Sequence, residues 1–275
     1  MRRLLDSSQG ISTSAENIRA ILESDFCPRI NPVQKYFQKL SKWNEGEDSE
    51  IIHLASCVTV RNPEKWQTYL TKWLIAVVAN AMDDLFCRNH TCLVLTGEQG
   101  KFKTTFLDLL CPIELKAYLF TGTIDPQNKD TQTLIAEYLF INIDDQLKAL
   151  NKRDENELKN LITTPRVKYR RPYDTYIEKY PHLASFMASV NGNDFLTDPT
   201  GSRRFLPFEV EAIDIEAAKQ VDINKVYSEA WWYWKSGYRY WFDDAEIAEL
   251  HRESEGFHVQ TVEYEMPAGD RKSVV

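Results

Sequence analysis

Between Thr91 and Leu110 the chain reads TCLVLTGEQGKFKTTFLDLL: an apolar run ending at Gly97, a glycine-containing turn, and a helical stretch closed by Cys111-Pro112. An apolar run this short, without alternation and bounded by turn residues, is predicted to be a buried strand. Further runs follow at 138–143 (YLFINI), 183–190 (LASFMASV) and 203–210 (RRFLPFEV), with helical segments among them. Short buried strands alternating with helices call for a sheet covered on both faces, so an α/β fold is predicted. The residues before Thr91 read as helical. Thr13 and Glu16 have capping-box spacing, and Asn31-Pro32 and Asn62-Pro63 are N-cap and first-turn signals, the second opening a helix to about Asp84. From Ile215 the pattern is helical again. The expected division is a helical N-terminal region (1–89), an α/β core (90–212) and a helical C-terminal region (213–275), with the polar stretch 44–49 as an internal hinge.

A chain of 275 residues is long enough to bury a full core. Its apolar stretch WLIAVVA (73–79) is far too short to span a bilayer, and the N-terminus has no apolar signal region, so a cytoplasmic location is expected. The five cysteines form no C-x-x-C pair and the five histidines have no metal-ligand spacing; reduced thiols and no zinc site are expected. A net charge of −8 argues against a surface that binds polyanions all over. Basic residues are nonetheless concentrated from Arg166 to His182, five against two acidic ones.

The turn after the first strand has the spacing of the phosphate-binding pattern G-x-x-x-x-G-K-[ST], with Phe102 in place of the second glycine. The candidate nucleotide-binding residues are Gly97, Glu98, Gln99, Gly100, Lys101, Phe102, Lys103, Thr104 and Thr105. In such a loop, backbone N–H groups surround the phosphates, a lysine adds mobile charge and the next hydroxyl ligates Mg²⁺. Phe102 is expected to take an ordinary negative φ with its ring turned away. Taken alone, the stretch is also readable as a chance turn with two lysines before a helix. The run at 138–143 ends in Asp144 and Asp145, which suit a Mg²⁺ ligand and a residue that polarises the attacking water. The run at 183–190 delivers Asn191, an amide suited to holding that water, although NGND is also an ordinary turn. Arg203 and Arg204 precede the last strand; paired guanidiniums neutralise charge on a transferring phosphoryl group, often from a neighbouring subunit.

RVKYRRPYDTYIEKYP (166–181) alternates basic and aromatic residues about a Pro-Tyr-Asp turn, as a projecting hairpin would. Lys168, Arg170, Arg171 and Tyr173 suit a nucleic-acid strand; the same charges also suit an edge hairpin protected from aggregation. Tyr227, Trp231, Trp234, Tyr238 and Trp241 fall at helical spacing and are read as a face packed on the core.

The order of these pieces resembles superfamily 3 helicases, a branch of the AAA+ ATPases. More closely, it resembles the virulence-associated protein E family of phage, plasmid and island-encoded ATPases. The carrying segments are LVLTGEQGKFKTTFLDLL, NKDTQTLIAEYLFINIDD, ENELKNLITTPRVKYRRPYD, ASVNGNDFLTDPTGSRRFLPFEV and GYRYWFDDAEIAEL, with NPVQKYFQKLSKWNEG as a lead-in. The likeness covers roughly residues 30 to 255. It implies a P-loop NTPase core of the AAA+/superfamily 3 helicase type with helical N-terminal and C-terminal regions. It also implies ATP and Mg²⁺ held by Gly97, Gly100, Lys103 and Thr104, with Asp144 and Asp145 as the acidic pair, Asn191 as the sensor, and Arg203 or Arg204 as the finger. Helicase-like hydrolysis of ATP on single- or double-stranded DNA, in replication of a mobile element, follows from it. So do a homo-oligomeric ring and a primase or primase-polymerase partner. The alternatives are a nucleotide-dependent binding module and an ATPase that remodels a protein partner.

Overall fold

The computed structural model describes residues 13–259, apart from 25, 28–29, 129, 170–176 and 198–201. Before the sheet proper come α1 (Ala15–Glu23), α2 (Pro32–Lys39), α3 (Glu50–Ser56), β1 (Val58–Val60) and α4 (Pro63–Ala81). Next are β2 (Cys92–Thr96), α5 (Lys103–Leu109), β3 (Leu119–Gly122), α6 (Thr131–Glu137), β4 (Phe140–Asp144) and α7 (Lys152–Thr163). The hairpin strands β5 (Arg166–Tyr169) and β6 (Glu178–Pro181) lead to β7 (Ser185–Ser189) and β8 (Phe205–Ile213). Three helices close the described part: α8 (Ile215–Gln220), α9 (Ile223–Lys235) and α10 (Asp244–Ser254).

Six strands form one sheet in the order β1-β8-β2-β7-β4-β3. The five from β8 to β3 are parallel, and β1 pairs antiparallel with the far end of β8, Val58 lying opposite Ile213. This mostly parallel α/β sheet agrees with the expectation from the apolar runs. Successive side chains of a strand point to opposite faces, and the two cores record that alternation. Leu93, Leu95, Phe140, Met187, Leu206 and Phe208 pack on one face with the helices α4, α5 and α9. Their neighbours Cys92, Val94, Ile141, Ile143, Phe186 and Ala188 pack on the other with α7. Pro207 sits inside β8, opposite Val94 of β2, where β1 does not extend. A missing N–H is tolerated there because that side of β8 carries no ladder.

Some local readings change. The first cap is Ser14, whose side chain accepts from Asn17 N, and not the Thr13–Glu16 box. Helix α4 ends at Ala81, short of Asp84. Val58–Val60, in a region read as helical, is a strand. Among the described residues, no helix is long and apolar enough to cross a membrane.

Parallel strands give the sheet two chemically different edges. Strands β2, β4 and β7 end at one of them, which brings Gly97, Asp144–Asp145 and Asn191 together. At the other edge begin β2, β7 and β8, preceded respectively by the loop 83–91, the β5–β6 hairpin and Arg203–Arg204.

Candidate functional site

At the C-terminal edge lies an open cleft of about 410 Å³ lined by residues 99–105 together with Asp144, Asp145, Ser189 and Asn191. Its floor is tied by the backbone: Gly192 N donates to Gly97 O at 3.0 Å, and Asp145 N donates to Ser189 O at 3.0 Å. Gly97 has φ +128, and a Cβ there would lie 2.8 Å from the Val210 carbonyl oxygen, so this position requires glycine. Gly100 also has a positive φ, of +83.

Phe102 corrects an expectation. Its φ is +58 and ψ +20, the left-handed region, and not the ordinary negative φ predicted from its side chain. The usual glycine of the pattern is replaced while the backbone keeps a conformation that suits glycine. The ring does turn outward, 53% exposed at the rim. The physical reason is the turn itself: Phe102 O must accept from Phe106 N at 2.8 Å to open α5, and the loop reaches that point only by reversing at residue 102.

Lys103, the first residue of α5, is 5% exposed. Its ammonium donates to Gly97 O (3.0 Å), Glu98 O (2.6 Å) and Asn191 Oδ1 (3.2 Å). Burial pulls its pKa below the usual lysine value, and Asp145 and Asp144 oppose that. Asn191 in turn clamps Asp145: its N donates to Oδ1 at 3.0 Å and its Nδ2 to Oδ2 at 2.8 Å. Asp145 itself has φ +47, an uncommon backbone for aspartate that aims its carboxylate at Asn191. Lys103, Asn191 and Asp145 therefore form one continuous polar chain across the cleft.

Beside it stands a triangle of oxygens. Thr104 Oγ1 and Ser189 Oγ each lie 2.8 Å from Asp144 Oδ1, and 2.9 Å from one another. Two hydroxyls carry two protons, so at most two of these three contacts are hydrogen bonds at once. The remaining edge brings two oxygens together with no proton between them. Ser189, 3% exposed at the end of β7, is the member that the sequence reading missed. Its only signal was a hydroxyl closing an apolar run two residues before Asn191.

Buried Asn142 in β4 fixes the helix against the sheet, donating from Nδ2 to Asp108 Oδ1 at 2.8 Å. Glu98 and Lys101 pair across the loop at 3.5 Å, and Gln99 and Thr105 are exposed at its margins. All the loop and acidic candidates thus meet at this cleft or border it.

Arg203 and Arg204 do not. They form a short 3-10 turn before β8, whose Phe205 lies opposite Cys92, at the far end of β2 from Gly97. Five residues of strand separate the two ends, about 16 Å at 3.3 Å per residue. Lys168 is exposed on β5, which pairs with β6 as the expected hairpin. Arg170, Arg171 and Tyr173 lie outside the described residues. The aromatic run divides: Tyr227 is fully buried, Trp231 and Trp234 are partly buried, while Tyr238 and Trp241 are 38% and 58% exposed. The predicted face ends early because α9 stops at Lys235 and Gly237 reverses the chain at φ +79.

With this fold and cleft the chain belongs to a family: residues 37–259 match the virulence-associated protein E-like domain. No curated protein matches the chain in sequence. Among solved structures it is similar to "The apo structure of NrS-1 C terminal region (305-718)", at 14% identity and a TM-score of 0.52. That match covers 82% of this chain and 52% of the other, and it speaks to fold. Two further structures of the NrS-1 C-terminal region, each 16% identical, give TM-scores of 0.46 and 0.48. They cover 82% and 86% of this chain and 46% and 51% of theirs. The chain therefore spans about half the length of the structures that it matches.

Proposed function

We propose that this chain is a P-loop NTPase that binds ATP with Mg²⁺ and hydrolyses it, in a helicase-like role on DNA during replication of a mobile element. One observation carries the reading: three parallel strands bring a lysine, a hydroxyl, two carboxylates and an amide to one cleft beside a positive-φ loop. In this reading Lys103 leaves the Gly97 and Glu98 carbonyls, or shares itself with them, to meet β- and γ-phosphate oxygens. Thr104, Asp144 and Ser189 offer oxygen donors in a group fit for Mg²⁺. Adjacent ligands of octahedral Mg²⁺ at 2.0–2.1 Å are about 2.9 Å apart, close to the 2.8–2.9 Å sides of this triangle. Bound there, Mg²⁺ supplies positive charge to the phosphates and polarises them. Asp145, held by Asn191, orients the attacking water, and Asn191 also couples that carboxylate to Lys103.

Arg203, exposed at the opposite edge, is out of reach of its own cleft, so its role as a finger requires a second copy of the chain, as in a homo-oligomeric ring. The β5–β6 hairpin, with Lys168 on its exposed side, is the proposed DNA contact. A primase or primase-polymerase partner belongs to the same reading.

The rival is a module that binds nucleotide without productive turnover. One feature favours it: both Asp145 oxygens are already occupied by Asn191. Single-turnover hydrolysis with and without single-stranded DNA separates the two. Stimulation by DNA supports the motor; saturable ATP binding with no turnover in either condition removes it.

A further inference from the structure

The N-terminal edge of the sheet holds a second pocket, of about 310 Å³, lined by Arg88, His90, Arg203, Arg204, Tyr240 and Trp241 among others. We propose that this pocket binds one nucleotide unit of single-stranded DNA, with Arg88 and Arg204 on the phosphate and Trp241 against the base.

Topology makes the first argument. Three neighbouring strands, β8, β2 and β7, begin at this edge, and the segment before each carries at least one arginine, the segment before β2 also carrying Asp83 and Asp84. Arg88 and His90 precede β2, Arg203 and Arg204 precede β8, and the hairpin precedes β7. The hairpin is fastened to the pocket's wall. Thr163, the last residue of α7, lines the pocket, and Arg166 donates to the Asp84 carbonyl at 3.1 Å. On a chain of net charge −8, arginines gathered from three segments at one end of the sheet are a place where a polyanion is attracted locally.

The side chains make the second. Among the described residues, neither Arg203 nor Arg204 has a carboxylate partner, and Arg204 is half-buried beside Arg203. Two adjacent guanidiniums held in a recess repel each other until an anion joins them. Arg88 is pre-positioned: Asp83 takes its Nε at 2.6 Å and the Phe86 ring lies 5.1 Å below, which leaves its terminal nitrogens for a phosphate. Burial, with the charges of Arg204, Arg88 and Arg203, holds His90 below the usual histidine pKa. Its Nε2 lies 3.0 Å from the Cys87 carbonyl oxygen, so its N–H is spent inside the protein and the phosphate falls to the arginines. Trp241 makes the third. It is 58% exposed at the mouth and braced edge-on by Tyr240, ring centres 5.4 Å apart. The exposed indole lies beside Arg204, which has no carboxylate partner among the described residues, and Arg88, whose terminal nitrogens remain open. Together they have both parts that a single-stranded nucleotide unit requires, a stacking platform and a phosphate clamp.

The pocket's role does not depend on the cleft, so it is tested with that cleft disabled. Fluorescence anisotropy of a labelled oligothymidylate longer than about 16 nucleotides is followed on the full chain carrying Lys103→Ala. Adding Trp241→Ala is expected to weaken binding about 5- to 100-fold, while Trp241→Phe retains most of it. Adding Arg88→Gln is expected to weaken binding and to make the slope of log affinity against log salt shallower by about 0.7, one phosphate contact on a single strand. Should Trp241→Ala lower the melting temperature, the Trp241→Phe and Arg88→Gln chains carry the test. Affinity unchanged within twofold in Trp241→Ala and Arg88→Gln overturns the proposal and leaves DNA to the hairpin alone. Displacement of the oligonucleotide by free ATP at this pocket overturns it too, assigning the recess to a nucleotide held by a neighbouring copy. With Lys103 intact, Arg88→Gln and Trp241→Ala should both keep DNA-independent ATP hydrolysis, so loss of the cleft's activity and loss of this pocket read separately.

Discussion

Phe102 gives the sharpest test of the loop's geometry, because glycine and alanine should change rank there. An L-residue in the left-handed region costs roughly 1–2 kcal/mol, which glycine does not incur. Glycine loses about 0.5–1 kcal/mol more than alanine in conformational entropy on folding. At an ordinary negative φ only the second effect acts, and Phe102→Ala would be the more stable variant. At φ +58 the first effect is larger, and Phe102→Gly should exceed Phe102→Ala by about 0.5–1 kcal/mol. For a chain of this size that is roughly 1–4 °C in melting temperature. Comparing the two variants removes the ring from the account, since both lack it. Thermal melting of the two proteins, in the same buffer without nucleotide, is the assay. A Phe102→Ala chain that melts at or above Phe102→Gly refutes the left-handed assignment and restores the negative φ expected from the sequence.

Gly97→Ala should be more damaging: its Cβ would meet the Val210 carbonyl at 2.8 Å where φ is +128, and melting should fall by several degrees, roughly 1–3 kcal/mol. Ser189→Ala removes a hydroxyl from the Thr104–Asp144 triangle. The Mg²⁺ concentration for half-maximal hydrolysis should rise about tenfold while ATP affinity without metal is unchanged; an unaltered Mg²⁺ profile would detach Ser189 from the site. Glu155, 3% exposed, accepts from Thr197 N at 2.7 Å and pairs with Lys159 at 2.7 Å, holding Thr197 against α7. Removing one partner of a buried pair costs about 3–5 kcal/mol, so Glu155→Ala should lower the melting temperature by roughly 10 °C.

The strands and the convergence of Lys103, Thr104, Asp144, Asp145 and Asn191 were legible because each buried run is short and is followed at once by a polar turn. Parallel polarity then places those turns at one edge. What stayed hidden depended on tertiary pairing or on the closure of a turn. Val58–Val60 is too short to read as a strand and becomes one only against the extension of β8. The conformations of Phe102 and Asp145 are imposed by the turns that they close, against the preference of their side chains. Ser189 looked like part of an apolar strand, and its neighbours Thr104 and Asp144 are 85 and 45 residues away in the chain. Trp241 was assigned to a packed face by counting helical spacing through Gly237, where the helix has already ended.

The central claim is that Lys103 and its neighbours form a working nucleotide site. Steady-state release of inorganic phosphate from ATP and Mg²⁺, by the unaltered chain and by Lys103→Ala, tests it most directly. The account expects turnover by the first and none above background by the second. Hydrolysis that survives Lys103→Ala would contradict it.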